Sequence, residues 1–394
     1  MRETVIVSAV RTAMDDFGGA LRDTSALELG RVVIEEAIRR AGIEKGQVDD
    51  VIMGNVLPAG LGQNAARQAM LRAGLPYTTT ALTVNKVCGS GLKAVMLADH
   101  AIKAGDADII VAGGMENMSL APYYLLQARS GYRLGDGKVV DGMVHDGLWD
   151  LTQNAHMGRL TENVAEKWSI SRQEQDRFSL QSYQRAQQAT REGRFREQIV
   201  PVPIPQRKGP PQLFDRDEVA QRECSLEALA KLSPAFKEGG TITAGNASKI
   251  SSGAAALVLM AAEKAREKGI RPMARVIAHG SAGIEANVFS AGPTSSIPMV
   301  LKKARLREED IDLHEINEAF AAGTLAVIKE LRLDEGKVNV NGGAIALGHP
   351  IGCSGARLLV TLLYALRDRG GKRGMASLCV GGGEGVSMIV ELVR

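Results

Sequence analysis

The 394-residue chain has few aromatic residues, few cysteines and almost no excess charge. Aromatic side chains make up 4% of the residues, and the four cysteines are widely spaced without a Cys-x-x-Cys pair. That spacing argues against a zinc site and a disulfide framework, and it favours a reducing, cytoplasmic compartment. A net charge of +3 gives no reason to expect a nucleic-acid partner.

Long hydrophobic runs are also missing. No stretch approaches the roughly 20 apolar residues that a membrane-spanning helix needs, so we expect no membrane association. The first residues, MRETVIV, enter a strand-like run at once, and we expect no targeting leader there. Hydrophobic residues make up 45% of the chain and glycines number 44, a composition that favours a large α/β protein with many short turns.

The two ends of the chain resemble each other, which indicates an internal duplication. The segment NKVCGSGLKAV at 85–95 aligns with IGCSGARLL at 351–359 through its Ser-Gly pair. At nearly the same offset, DIIVAGGMEN at 108–117 aligns with ASLCVGGGEG at 376–385, each an apolar strand that runs into glycines. An offset this large indicates a duplicated domain and not a short-period solenoid.

The helices predicted after the two Ser-Gly pairs are apolar on most of their circumference. Residues 92–104 and 356–367 have no clear polar face, and helices of that kind are buried on all sides. We therefore expect a central helical layer between two sheets. Residues 26–41 and 296–305 show ordinary amphipathic stripes, which suit outer layers.

Strand-like runs alternate with these helices, which predicts an α/β fold. The predicted strands are 4–9, 50–54, 81–87, 108–112, 256–261, 274–279, 338–341, 376–380 and 386–392. Residues 48–55 and 311–318 also match loosely across the repeat. Residues 119–250 differ in character, because they contain polar helical stretches (159–193) and a proline-broken segment. We predict that they form an inserted domain over one face.

Cys88 lies in NKVCGSG, between a strand-like run and a helix. A helix N-terminus carries partial positive charge and free N–H groups, so we expect the pKa of this thiol to be lowered. Most free cysteines are simply small buried hydrophobic residues, but this glycine-rich corner favours an activated thiol. Cys353 aligns with a glycine of the repeat, and we interpret it as structural.

Three further side chains are candidates for chemistry. His349 lies in a glycine-rich loop that leaves its ring room to act as a base. Cys379 ends an apolar strand, where a core position is an equal alternative, and the following Gly381 and Gly382 present N–H groups suited to an oxyanion. Asn317 is either a helix N-cap or an amide that orients a water or carbonyl. A nucleophile, a base and a second thiol are the parts of covalent acyl transfer.

Together these motifs resemble the thiolase family, and the likeness extends over essentially the whole chain. NKVCGSG resembles that family's nucleophile motif, INEAFA its Asn motif, GGAIALGHPIGCSGAR its His motif and CVGGGEG its second Cys motif. The resemblance implies a duplicated, five-layered αβαβα fold with an inserted loop domain. The N-terminal half would comprise 1–118 plus 251–270, the loop domain 119–250 and the C-terminal half 271–394.

The resemblance also implies an activity. The enzyme would be an acetyl-CoA C-acetyltransferase that condenses two acetyl-CoA to acetoacetyl-CoA and CoA through an acyl-Cys88 intermediate, without a cofactor or metal. His349 would activate Cys88, and Cys379 would take a methyl proton from the second acetyl-CoA. His349 with a water held by Asn317 would form one oxyanion hole, and the N–H groups of Cys88 and Gly381 the other.

Further residues resemble positions that border the substrate or join subunits. Those expected at the acyl-CoA are Leu148, His156, Met157, Phe236, Ala244, Ala247, Ser248 and Phe320. The stretch 130–140 resembles a loop that joins two dimers, so we expect a homotetramer. The chain departs from short-chain members at 153–155, at Phe289-Ser290 and at Lys249, positions that bear on acyl-chain preference and adenine contacts.

Three alternatives stay open on the sequence alone. A broader 3-ketoacyl-CoA thiolase of fatty-acid β-oxidation would share every motif. A carrier-protein ketosynthase has the same architecture but pairs its cysteine with two histidines, whereas Cys379 stands in the last motif here. A catalytically silent acyl-CoA-binding protein would lack at least one catalytic residue, and all of them are present.

Overall fold

The computed structural model describes residues 2–393, in which strands and helices alternate. The strands are β1 (Thr4–Thr12), β2 (Asp50–Gly54), β3 (Thr80–Val84), β4 (Ile109–Asn117), β5 (Tyr123–Tyr124), β6 (Val140–Asp141), β7 (Trp149–Asp150), β8 (Ala155–His156), β9 (Ile199–Val200), β10 (Val202–Ile204), β11 (Gln212–Phe214), β12 (Ser252–Ala261), β13 (Ala274–Gly283), β14 (Leu313–Ile316), β15 (Arg373–Val380) and β16 (Glu384–Leu392). The α-helices are α1 (Ala26–Ala41), α2 (Ala65–Arg72), α3 (Ser90–Ala104), α4 (Met157–Lys167), α5 (Arg172–Arg191), α6 (Leu226–Ala230), α7 (Ala262–Glu267), α8 (Pro293–Ala304), α9 (Ala321–Leu331), α10 (Ala344–Leu347) and α11 (Ser354–Arg369).

Two half-sheets are joined edge to edge. The strand order is β14-β15-β16-β13-β1-β12-β4-β2-β3. The short strand β9 lies outside this order and forms a parallel pair with the end of β1. The junction between β1 and β13 is narrow, since it consists of Val5 opposite Arg275 and Ile6 opposite Ala274. Each half-sheet combines parallel pairs, such as β2–β4 and β14–β15, with antiparallel ones. This repeated pattern is the structural form of the duplication.

Helices α3 and α11 fill the space between the half-sheets. Every residue of α11 from Ser354 to Leu366 is buried. One apolar cluster unites Leu92 and Val95 of α3 with Leu358 and Leu362 of α11 and with strands of both half-sheets. The predicted central layer of buried helices is therefore present.

The strands are apolar on both faces because both faces are covered. Along β12, Leu257 and Leu259 join the central cluster, whereas Ala256 and Val258 join an outer cluster with α1 and α2. Neighbouring side chains of a strand point to opposite faces, so a strand covered on both sides must be apolar throughout. Helices α8 and α9 cover the outer face of the other half-sheet. The five-layered α/β fold class is confirmed.

The prediction of a strand at 338–341 is wrong. Only a single bridge forms there, between Val338 and His314, and the edge strand is β14. Asn339 adopts a φ of 47°, which interrupts an extended strand. Its side chain replaces the missing ladder: Oδ1 accepts from the N–H of Ile316 and Nδ2 donates to the Ile316 carbonyl, each at 2.8 Å.

The segment between β4 and β12 contains α4, α5, α6 and three short hairpins. The helical stretches predicted within 159–193 correspond to α4 and α5, which are separated where Ser169 takes a φ of 50° and Ser171 caps the start of α5. Phe178 and Tyr183 of α5 pack with Ile345 of α10. The domain boundaries given above stay predictions. None of the helices within residues 2–393 combines the length and apolar character that crossing a membrane requires.

Candidate active site

Cys88 lies at the corner that leads from β3 into α3. The preceding Val87 has a φ of 45°, a left-handed conformation that a β-branched residue adopts only when its surroundings impose it. Ser90 imposes it from both sides: its hydroxyl donates to the Val87 carbonyl at 2.6 Å and accepts from the N–H of Lys86 at 2.8 Å. The position of the thiol is thus set by a rigid turn.

The Cys88 sulfur lies 3.3 Å from Nε2 of His349. On the other side of the ring, Nδ1 lies 2.6 Å from the Ser354 hydroxyl, which is itself 2.9 Å from the carbonyl of Pro350. Because the hydroxyl donates its single proton to that carbonyl, it accepts from Nδ1–H. Nε2 is therefore the proton acceptor, and it faces both the Cys88 thiol and the Asn317 amide, whose Nδ2 lies 3.3 Å away.

Burial controls the ionisation of this pair. It raises the pKa of the Cys88 thiol to about 11, outweighing the N–H groups of Gly381 and of Cys88 itself, which donate toward the sulfur and lower the pKa. It also lowers the pKa of His349 to about 3, assisted by the charge of Arg357. The expected lowering of the Cys88 pKa is wrong, because desolvation outweighs the helix N-terminus. The resting pair is a neutral thiol beside a neutral imidazole.

The second thiol, Cys379 near the end of β15, is 2% exposed. Burial raises its pKa, and a negative charge on the neighbouring Cys88 would raise it further. The strand end lies against the Cys88 corner, since a Cβ on Gly381 would meet Val87 at 3.3 Å and Met157 at 3.5 Å. The structure thus brings together the residues predicted for catalysis from both halves of the chain.

The loop before His349 accepts only glycine at one position. Gly348 has a φ of 98°, and a Cβ there would lie 2.2 Å from the Ser251 hydroxyl. A residue with a side chain would meet both backbone strain and a steric clash. The N–H of His349 donates to the Lys249 carbonyl at 2.9 Å, which fixes the backbone of the loop next to the base.

Asn317 is not the helix N-cap that its position allowed. Helix α9 begins four residues later, after Phe320. The Oδ1 atom of Asn317 is buried and has no hydrogen-bond partner within residues 2–393. Such an acceptor normally binds a water, which fits the second of the two interpretations of this residue.

A cavity of about 340 Å³ leads to these groups. Its walls contain His349 and seven of the eight residues expected at the substrate: Leu148, His156, Phe236, Ala244, Ala247, Ser248 and Phe320. The eighth, Met157, lines an adjoining cavity of about 570 Å³ together with Val87 and Gly381. The sequence did not point to Asp16, Phe17 or Met118, which also line the first cavity and lie outside the four motifs.

Aromatic rings form one wall of the first cavity. The rings of His156 and Phe236 stack at 4.7 Å, and Phe236 meets Phe320 edge to face at 6.2 Å. Gly158 makes this packing possible, because a Cβ there would lie 2.4 Å from the Phe236 ring. The wall is largely aromatic, which suits an uncharged part of a substrate.

Lys249, one of the departures noted in the sequence, has a structural role in the cavity wall. Its Nζ donates to the carbonyls of Ala244 and Ala247, so it braces the 244–248 loop. Burial lowers the pKa of this amine to about 8. The ammonium is therefore directed at the protein backbone.

Glu318 is a buried residue that motif reasoning missed. Its carboxylate accepts from the Ser182 hydroxyl at 2.7 Å, from Asn339 Nδ2 at 2.8 Å and from the N–H of Ile345 at 3.1 Å. These bonds tie the Asn317 segment to the loop that leads to His349. Its only sequence signal was its place beside Asn317.

No group of three or more His, Cys, Asp and Glu side chains among residues 2–393 has the arrangement of a metal site.

Comparison with protein families gives two matches. The N-terminal thiolase domain matches residues 4–263, and the C-terminal thiolase domain matches residues 270–392. The chain belongs to the thiolase family. The resemblance seen in the four motifs is thereby confirmed over nearly the full length of this thiolase.

Known members of the family are similar along their whole length. An acetyl-CoA acetyltransferase of Cupriavidus necator is 54% identical over 99% of this chain and 100% of that protein. One of Escherichia coli is 54% identical over 99% of each chain. The crystal structure of the Bacillus anthracis acetyl-CoA acetyltransferase superposes with a TM-score of 0.98 at 45% identity, covering 100% of this chain and 99% of that one.

Proposed function

We propose that this thiolase is an acetyl-CoA C-acetyltransferase, which joins two acetyl-CoA into acetoacetyl-CoA and CoA and also catalyses the reverse thiolysis. The observation that carries the proposal is the 3.3 Å approach of the Cys88 sulfur to Nε2 of His349, with the Cys379 thiol buried beside them. The names of the relatives at 54% identity support acetyl-CoA as the substrate.

In the first half-reaction, the Cys88 sulfur attacks the thioester carbonyl while its proton passes to Nε2 of His349. The bond from the acetyl carbon to CoA then breaks, and the CoA thiolate takes the proton of Cys379. Burial raises the Cys379 pKa, so this thiol holds a proton at rest, and its thiolate, once formed, is a strong base. The products are acetyl-Cys88, free CoA, an imidazolium and a Cys379 thiolate, so the net charge is unchanged.

In the second half-reaction, the Cys379 thiolate removes a methyl proton from a second acetyl-CoA. The carbanion attacks the acetyl carbonyl on Cys88, a carbon–carbon bond forms, and the Cys88 sulfur leaves and recovers its proton from His349. The N–H groups of Cys88 and Gly381 stabilise the oxyanion on acetyl-Cys88, and His349 with a water on Asn317 stabilises the other. These steps use CoA thioesters as substrates and no further cofactor.

The test of this proposal is the thiolysis of acetoacetyl-CoA by CoA, followed as loss of the substrate. The unmodified protein should catalyse it, and Cys88→Ala should not, because no other group in the scheme can carry the acetyl unit. Cys224→Ala is the matched control, since Cys224 is a half-buried free cysteine outside the reacting groups. Equal rates for Cys88→Ala and the unmodified protein would contradict the proposal.

A broader 3-ketoacyl-CoA thiolase is the second candidate. It is supported by the adjoining cavity of about 570 Å³, which reaches Val87, Met157 and Gly381 beside the reacting thiols and offers space for a longer acyl chain. Thiolysis rates for acetoacetyl-CoA and for a medium-chain 3-ketoacyl-CoA separate the two. A much faster reaction of the longer substrate would replace the short-chain assignment.

We also propose a homotetramer in the cytoplasm with a role in fatty-acid metabolism. The segment 123–139 exposes large apolar side chains, among them Leu134 at 98% exposure, which supports its burial against another subunit. Four unpaired cysteines support a reducing compartment. Sedimentation analysis should give four chains per particle, and replacing Leu134 and Val139 by Ser should yield a smaller species.

A further inference from the structure

A buried carboxylate that takes no part in the proposed reaction connects two segments of the chain that flank the active site. Glu116, near the end of β4, is 0% exposed. Its Oε1 accepts from Asn55 Nδ2 at 2.6 Å and from the N–H of Leu57 at 3.2 Å. Its Oε2 accepts from the N–H groups of Val56 and Gly352, each at 2.9 Å. Both oxygens are thus occupied by donors from two distant segments of the chain.

This arrangement requires the ionised form of Glu116. The orientation of the Asn55 amide is fixed, because its Nδ2 also donates to the Met115 carbonyl at 3.1 Å. All four partners are therefore donors, and a protonated carboxyl would direct its O–H against an N–H. Burial raises the pKa of Glu116 to about 7. The N–H groups of Val56, Gly352 and Leu57 lower that pKa by stabilising the carboxylate, but burial is the larger effect.

The contacts of Glu116 reach both members of the reacting pair. Gly352 lies between His349 and Ser354, the residue that binds Nδ1 of the imidazole. Val56 and Leu57 pack with Cys88 in one apolar cluster. The Glu116 carboxylate thus joins the segment of Val56 and Leu57, which packs against Cys88, to the loop that contains His349.

The fit around Gly352 leaves little freedom. A Cβ at this position would lie 2.7 Å from Glu116 Oε2 and 2.8 Å from Cα of Asn55. The loop therefore sits directly on the carboxylate, and any change in the carboxylate is transmitted to the loop backbone.

The internal repeat contains a second glutamate with a related contact. Glu384 aligns with Glu116 in the pair of segments 108–117 and 376–385, and it forms an ion pair with Lys86 in the Cys88 corner. Each glutamate therefore reaches the corner loop of the opposite half. Glu384 is partly exposed, with 42% of its side chain accessible, so its contribution is screened by water.

We propose that Glu116 is a positioning residue for the acyl transfer: its carboxylate, through Gly352, sets the distance between Nε2 of His349 and the Cys88 sulfur. This inference rests on the proposed roles of Cys88 and His349. Glu116 touches neither the substrate cavity nor the reacting atoms, so its effect falls on the rate of the chemical steps and not on substrate binding.

Glu116→Gln tests the proposal with nearly unchanged volume. The new NH₂ group faces N–H donors, which pushes the Gly352 loop away from its place. We expect kcat for thiolysis to fall on the order of 10- to 100-fold, as displacements near 1 Å do, with KM within about twofold. The rate of Cys88 acetylation should fall in parallel. Glu116→Asp keeps the charge on a shorter chain and should give an intermediate kcat.

The matched control is Asp99→Asn, which neutralises a buried carboxylate on α3 that binds His279 and Lys103. We expect its kcat to stay within about twofold of the unmodified protein. A Glu116→Gln protein with unchanged kcat, or an equal loss in both variants, overturns the proposal.

Misfolding of Glu116→Gln and failure of the proposed function can each be distinguished from failure of this proposal. If Glu116→Gln does not fold, Glu116→Asp takes its place, and an unchanged kcat in that variant overturns the proposal. If the unmodified protein itself forms no acetyl-Cys88, the proposed function fails, and that failure is visible before any variant is compared.

Discussion

Replacing Ser354 by Ala removes the acceptor that holds the imidazole of His349 in its reactive form. Nδ1–H then loses a 2.6 Å hydrogen bond inside a fully buried site. Leaving a buried donor unsatisfied costs about 1–3 kcal/mol. The alternative tautomer would direct Nε2–H at the Cys88 thiol, where it cannot accept a proton. The lost energy therefore appears in the barrier, and kcat should fall about 5- to 150-fold.

The assay is the steady-state thiolysis of acetoacetyl-CoA, with kcat and KM determined separately. KM should change little, because Ser354 lies behind the imidazole and away from the walls of the cavity. Ser296→Ala provides the control, since it deletes another fully buried hydroxyl, on α8, that bonds to Ser387 at 2.8 Å. A kcat for Ser354→Ala no lower than that of Ser296→Ala would refute the assignment of the tautomer.

Three other perturbations have defined outcomes. Cys379→Ala should form acetyl-Cys88 slowly and produce no acetoacetyl-CoA, as measured by mass spectrometry and product assay. Alkylation of Cys88 by iodoacetamide should accelerate steadily from about pH 7 to about pH 9, because a pKa of about 11 leaves the thiolate a minor species; a plateau near neutral pH would contradict this. Gly348→Ala should lower the free energy of unfolding by about 1–3 kcal/mol in urea titrations, since its φ of 98° suits only glycine.

The layered fold could be predicted from the sequence because its main signals are local and repeated. The two Ser-Gly pairs mark the starts of α3 and α11, and the apolar circumference of those helices indicates the central layer. No strand was predicted at β14, although the loose match of 311–318 with 48–55 aligns this segment with β2. The prediction of a strand at 338–341 was wrong because the side chain of Asn339 makes the hydrogen bonds to Ile316 that the backbone of a paired strand would otherwise make.

The members of the site were predictable, but its electrostatics were not. Cys88, His349 and Cys379 each lie in a short contiguous motif at the end of a strand or in a loop, and such motifs can be recognised in the sequence. The pKa of Cys88 depends on how much water the assembled halves exclude, and that quantity arises only from tertiary packing. Glu116 was missed for the same reason, since its four donors come from segments almost 300 residues apart.

The central claim is that Cys88 carries the acetyl group, and mass spectrometry after incubation with acetyl-CoA tests it most directly. We predict one acetyl group per chain, located by peptide mapping on Cys88, absent from Cys88→Ala and removed by added CoA. No adduct on the unmodified protein, or an adduct on Cys224, Cys353 or Cys379 in place of Cys88, would contradict the account.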